Sequence, residues 1–187
     1  MKSSFSMVIQ LSLVSARGVP SFLQPLGRRR PITRLFSSNR LLDTPKLKNT
    51  FCALRHGRSL ANEANIISSH PEVATIQHGL SRTGEEQAKK AGLDVVHYFQ
   101  KDATFDGICI LTSDYLRAME TALYVAKAVV GADLPLYDGG VVFERRLRER
   151  WFGEWDGGSD VHYPDVWKDD AADSSHTLQG GESVDSV

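Results

Sequence analysis

The spacing of hydrophobic positions changes several times along the chain, and each change predicts an element. Residues 49–55 form a short apolar run suited to a buried strand, which His56-Gly57 stops. Thr83-Gly84-Glu85-Glu86 reads as a capping box, and Ala88, Ala91, Gly92, Val95, Tyr98 and Phe99 follow at helical spacing. Residues 107–112 form a second apolar strand. Ser113-Asp114 stands where it would cap the next helix, which Leu116, Met119, Leu123, Ala126 and Val130 mark and Gly131 ends. A shorter third strand is predicted over residues 141–143, ahead of a polar, aromatic and glycine-rich stretch, 145–181, with little regular period. No internal repeat is present.

Strands alternating with helices predict an α/β fold, a three-layer α/β/α arrangement around a mainly parallel sheet. In such sheets ligands sit beyond the carboxyl ends of the strands. The first strand runs into Arg55-His56-Gly57-Arg58-Ser59, and the second into Thr112-Ser113-Asp114 with Arg117 one turn later. Both loops are therefore expected to open on one rim.

Composition adds exclusions. With 41% hydrophobic and 24% charged residues the chain is an ordinary globular one. Its 22 basic and 23 acidic residues leave a net charge of −1, which provides no global field for nucleic acid or an anionic membrane, so any anion must be bound locally. Cys52 and Cys109, both inside apolar runs, are too few for a disulfide framework or a zinc knuckle and read as buried, inert thiols. No apolar stretch approaches the roughly 18 residues that a membrane span needs. His70, His78, His97, His162 and His176 lack ligand spacing and read as surface or loop residues, while Trp151, Trp155, Tyr163 and Trp167 read as packing.

The charge is uneven. Lys2, Arg17, Arg28, Arg29, Arg30, Arg34 and Arg40 precede the first acidic residue, Asp43, in a serine-rich stretch. That composition predicts a mitochondrial targeting peptide and linker over residues 1–45, cleaved near Arg34-Leu35-Phe36-Ser37, with the domain proper over 46–187. Loss of residues 1–36 would leave 16 basic against 23 acidic residues, a net charge of −7. The alternatives are a plastid address, a secretory signal built on Lys2, an apolar segment over 7–14 and Val14-Ser15-Ala16, or a basic tail without targeting function.

The candidate chemistry lies at the two strand ends. A neutral imidazole is nucleophilic near neutral pH, an arginine fork binds phosphate oxygens in bidentate fashion, and Gly57 lets backbone come close. Four separated segments then resemble, in order, the histidine phosphatase superfamily, also called the phosphoglycerate mutase-like family. They are Leu54-Arg55-His56-Gly57-Arg58-Ser59-Leu60-Ala61-Asn62, Leu80-Ser81-Arg82-Thr83-Gly84-Glu85-Glu86-Gln87-Ala88, the run from Thr112 through Arg117 to Ala122, and Leu147-Arg148-Glu149-Arg150-Trp151-Phe152-Gly153. Gly180-Gly181-Glu182-Ser183 is similar to a later turn of the family.

The resemblance implies that His56 is the nucleophile, forming a phosphohistidine, that Arg55, Asn62 and Arg117 hold the phosphoryl oxygens, and that Glu149 protonates the leaving oxygen. Arg58, where relatives often carry Glu or Gln, adds a cation at the mouth as a further substrate-binding candidate. A small phosphorylated metabolite is the implied substrate and phosphomonoester hydrolysis the implied reaction. Mutase-type phosphoryl transfer and non-catalytic phosphate binding are the alternatives. No metal or organic cofactor is implied, and neither a Walker-type loop nor a metal-spaced cluster is present. No oligomeric state is implied.

The family pattern also carries a second histidine, in a His-Gly pair after an apolar strand near the carboxyl end. The sequence reaches Val187 before any such pair, so the domain reads as incomplete at that end. Losing one charge-assisted phosphate contact costs roughly 1.5–3 kcal/mol. Losing an interior strand with about four buried aliphatic side chains costs roughly 6–12 kcal/mol, against a domain stability of about 5–15. Folding should therefore suffer before catalysis, and the expectation is a 187-residue chain that is unstable or nearly inactive by itself.

Overall fold

A computed structural model describes residues 3–8, 23–25, 52–101, 105–177 and 180–187. Five strands form one sheet in the order β2-β3-β1-β4-β5: β1 (Ser3–Val8), β2 (Leu23–Pro25), β3 (Cys52–Leu54), β4 (Phe105–Thr112) and β5 (Leu136–Phe143). β1 runs parallel to both β3 and β4, β4 runs parallel to β5, and only β2 is antiparallel, on the β3 edge. The sheet is thus mainly parallel, and β3 and β4 deliver their carboxyl ends to the same rim, as the alternation of strands and helices led us to expect.

The helices are α1 (Leu60–Ala64), α2 (Pro71–Ala74), α3 (Arg82–Gln100), α4 (Leu116–Gly131) and α5 (Tyr163–Ala172). On α3, Ala88, Ala91, Val95 and Phe99 recur at three- and four-residue intervals and are buried. Ala118, Ala122, Val125 and Val129 do the same on α4. Both stripes meet Cys52 and Leu54 of β3 and Ile108 and Ile110 of β4, where the two-residue strand period keeps alternate side chains on one face. Each large apolar side chain buried here stabilises the fold by about 1.5–3 kcal/mol. The two helices approach closely at Gly92, where a Cβ would stand 2.8 Å from that of Ala128.

Four local readings are corrected. Ser81, not Thr83, caps α3, its hydroxyl accepting from the Gly84 N–H at 3.2 Å. The helix can start earlier because Ser81 is extended and buried against the loop carrying Arg58, whose carbonyl accepts its N–H. Ser113-Asp114 caps nothing: the cap position of α4 is Tyr115, without a side-chain bond, and the Asp114 carboxylate instead takes a bidentate pair from Arg148 at 2.6 and 2.5 Å. β5 begins at Leu136 rather than at residue 141, because an irregularity in its pairing with β4 and a left-handed Gly140 (φ 66°) break the alternation that would have revealed it. Within the stretch of little period lies α5, which buries only Val166 and so carries almost no apolar stripe.

A second apolar cluster, Ile67, Phe152 and Val166 with Trp155, Tyr163 and Trp167 packed against it, joins α5 to the loops beyond the sheet. Strand β1 belongs to the stretch read as a targeting peptide, yet it occupies the interior position between the two strands whose loops bear the candidate chemistry. The cleavage point near Arg34, and residues 49–51 of the first predicted strand, lie outside the described residues. No helix among the described residues is long and apolar enough to cross a membrane.

Candidate active site

The loop leaving β3 is held against the first turn of α3 by absence of side chains. A Cβ on Gly57 would collide with the Gly84 carbonyl, and one on Gly84 with that of Arg58. In this tight crossing the His56 Nδ1 lies 2.7 Å from the Gly57 carbonyl oxygen. A carbonyl can only accept, so Nδ1 carries the proton and Nε2 holds the lone pair. Burial, reinforced by Arg117 and then Arg55, pushes the His56 pKa down to about 3 although the Gly57 contact opposes it. The ring is neutral and nucleophilic at neutral pH.

Ser59 opens α1 with a reciprocal capping box: its hydroxyl accepts from the Asn62 N–H, and the Asn62 Oδ1 accepts from the Ser59 N–H, both at 3.1 Å. With its oxygen occupied, Asn62 has its Nδ2 donors left for an anion.

Helix α4 brings Arg117 to the same place. This guanidinium is 3% exposed and donates to the Ser68 carbonyl at 3.0 Å and to Glu149 Oε2 at 2.8 Å. One turn later the buried Thr121 hydroxyl accepts from the Gly57 N–H at 3.1 Å and donates to the Arg117 carbonyl at 2.7 Å. A single side chain thereby ties the histidine loop to the arginine helix.

Glu149 comes from the loop after β5. The Tyr115 hydroxyl is 2.5 Å from the Ser69 carbonyl and 3.2 Å from that of Glu149, so it braces both segments facing Arg117. Asp156 accepts from Ser69 and His70, and Ser69 Oγ accepts from the Phe152 N–H. Glu182 grips Trp151 by side chain and backbone at 2.7 and 2.8 Å, next to Gly181, whose Cβ would strike the Trp151 carbonyl. Burial raises the Glu149 carboxyl, opposed by Arg117 and Arg55, and its Oε1 is buried without a partner. An acid kept protonated with one oxygen unengaged is suited to proton donation.

Arg55, His56, Asn62, Arg117 and Glu149 line one cavity, together with Ser59, Ala61, Ile66, Ser68 and Tyr163. Arg58 does not line it: its guanidinium is exposed, 4.0 Å from Glu63, and its N–H donates to Gln87. Ser68 and Tyr163 escaped the sequence reading. Both reach the cavity through contacts far along the chain, and no local pattern marks them, although Tyr163 also packs with Phe152 and Trp167 as the aromatic composition suggested. Cys52 is buried, Cys109 is half-buried, and burial raises both thiols. His70, His78 and His162 are loop residues with local tasks: His70 caps α2, His78 meets the Ser68 hydroxyl, and His162 stacks on Trp155. Among the described residues no three His, Cys, Asp or Glu side chains gather as a metal site requires.

A neutral histidine with its Nε2 open, flanked by two guanidinium groups and a buried carboxyl, defines the phosphohistidine class of phosphoryl-transfer sites. The sequence model of the histidine phosphatase superfamily (branch 1) matches residues 51–187, and the chain belongs to that superfamily. Among solved structures it is similar to the native mycobacterial glucosyl-3-phosphoglycerate phosphatase, at 26% identity over 69% of this chain and 53% of that one, with a TM-score of 0.46. It is similar also to the alpha-ribazole phosphatase of Shigella flexneri, at 27% identity over 70% of this chain and 57% of that one, with a TM-score of 0.44. The chain thus spans little more than half the length of these proteins. No curated protein matches at a significant level.

Proposed function

We propose that this chain is, or is the amino-terminal part of, a phosphatase that hydrolyses phosphomonoesters of small metabolites through a phosphohistidine on His56. The observation that carries this reading is the locked His56 ring, neutral and with Nε2 open, in the cavity shared by Arg55, Arg117 and Glu149. Nε2 attacks phosphorus, the bond from phosphorus to the ester oxygen breaks, and the departing oxygen takes the Glu149 proton. The charge spread over the phosphoryl oxygens in transfer falls to Arg55, Arg117 and the Asn62 amide, an electrostatic contribution that usually exceeds any other single one. Water then attacks the phosphohistidine, losing a proton to the Glu149 carboxylate, and the N–P bond breaks to release phosphate and neutral His56. Trapping labelled phosphate from a labelled phosphomonoester on the protein, and its disappearance in His56→Ala, is the expected result. Absence of label in both would refute the reading and favour a phosphate-binding protein, whereas label returned to a second hydroxyl rather than to water would favour the mutase.

We infer in addition that residues 1–45 direct the chain to the mitochondrion, on the strength of their arginine-rich, acid-poor composition. A fluorescent protein fused behind residue 45 should then enter the organelle, and a diffuse or plastid signal would overturn the assignment.

A further inference from the structure

The cavity around His56 is small, about 20 Å³. One water requires roughly 10–15 Å³ on this measure, so the space admits about one water and no phosphoryl group. What closes it is the site's own ion pair: Arg117, the buried guanidinium facing His56, spends one nitrogen on Glu149 Oε2 at 2.8 Å, with the two side chains 4% and 12% exposed. The other carboxyl oxygen, Oε1, is buried and unpartnered. The phosphate-holding cation and the proton donor therefore neutralise each other before substrate arrives.

Resting on the phosphatase reading, we propose that an incoming phosphate displaces Glu149 from Arg117 and that the displaced carboxylate takes up one proton from solvent, so that substrate binding itself arms the acid. The groups around the carboxyl make this the favourable outcome. Arg117 on α4, Arg55 after β3 and Arg150 beside it all stabilise the carboxylate, while His56 is neutral and the Tyr115 and Tyr163 hydroxyls carry no charge near neutral pH. A phosphate dianion engages the same arginines, which removes their support from Glu149 and places like charge beside it in a water-poor pocket. A buried carboxylate that loses its cation partner is relieved by protonation. The bookkeeping of the reaction closes, since the proton taken from solvent on binding is the one delivered to the leaving oxygen.

The test is calorimetric titration of inorganic phosphate into the full chain and into its Glu149→Gln variant, in two buffers of different ionisation enthalpy. Proton exchange by phosphate and by His56 is common to both proteins, so the difference isolates Glu149. The expected difference is about one proton more taken up by the unmodified chain, with Glu149→Gln binding more tightly and its advantage growing about tenfold per pH unit once the free carboxyl is ionised. Equal proton counts with a ratio independent of pH would overturn the proposal, while label on His56 would still uphold the phosphatase. Failure of both proteins to bind phosphate would sink both readings. Infrared difference spectra of the unmodified chain provide a check free of substitution: phosphate must produce a protonated-carboxyl band, and its absence overturns the proposal.

Discussion

Thr121→Val tests how the site is held together without touching any reacting atom. Valine matches threonine in shape and replaces only the hydroxyl, at a position with no solvent exposure. That hydroxyl is the acceptor for the Gly57 N–H, and the bond is buried, so valine strands a donor with no water to replace it. A buried, unsatisfied group costs roughly 1–3 kcal/mol. For a protein of this size each kcal/mol lowers Tm by about 2–4 °C. The kinetic effect should be larger in proportion, because Gly57 supplies the carbonyl that orients His56, and a misplacement of about 1 Å can cost roughly a hundredfold in rate. Thr121→Ser keeps the hydroxyl and loses a methyl worth about 0.8 kcal/mol, so it should regain most of the rate despite a residual loss of stability. Urea denaturation together with the rate of label transfer to His56 gives both quantities. If valine labels as fast as threonine, or if serine is as slow as valine, the hydroxyl does not position the loop.

The other predictions address the acid, the histidine and the first strand. Glu149→Gln should slow hydrolysis of alkyl phosphates by about 10²–10⁴-fold and affect aryl phosphates with good leaving groups far less; equal loss on both, measured by phosphate release, would deny Glu149 the role of proton donor. Because burial raises the Glu149 carboxyl, the activity it supports as an acid should persist above the usual carboxylate range and fall as pH rises through its raised pKa, a limb that Glu149→Gln must lack. His56 is pushed down to about 3, so between its unfolded value near 6.5 and that point the unfolded state binds the extra proton and stability falls with falling pH; His56→Asn should flatten this slope in urea titrations, and an unchanged slope would place the ring in water. Deleting residues 1–9 removes an interior strand with a hydrogen-bonded neighbour on each side, at about 0.5–1.5 kcal/mol per backbone bond before any apolar burial is counted; a deleted chain with unaltered stability would show that β1 contributes nothing to the sheet.

What the sequence determined by itself is what repeats or is contiguous. The stripes Ala88 to Phe99 and Ala118 to Val129 are helical because their spacing is, and Ile108 and Ile110 face one way because a strand alternates. The segment Arg55-His56-Gly57 was legible as chemistry because a strand end followed by imidazole and glycine is a local statement, and it placed five of the six candidate residues in one cavity. Tertiary structure decided the rest, because the deciding partner is distant along the chain. Asp114 looks like a cap until Arg148, 34 residues away, takes both its oxygens. Arg58 looks like a phosphate ligand until the crossing at Gly84 turns its side chain to solvent beside Glu63. Thr121, Tyr115 and Ser68 acquire their tasks only once α4, the loop after β5 and the segment before α2 converge, and the mutual neutralisation of Arg117 and Glu149 exists only in three dimensions. Periodicity encodes which face is apolar; which buried hydrogen-bond donor meets which acceptor depends on where the packed elements come to rest.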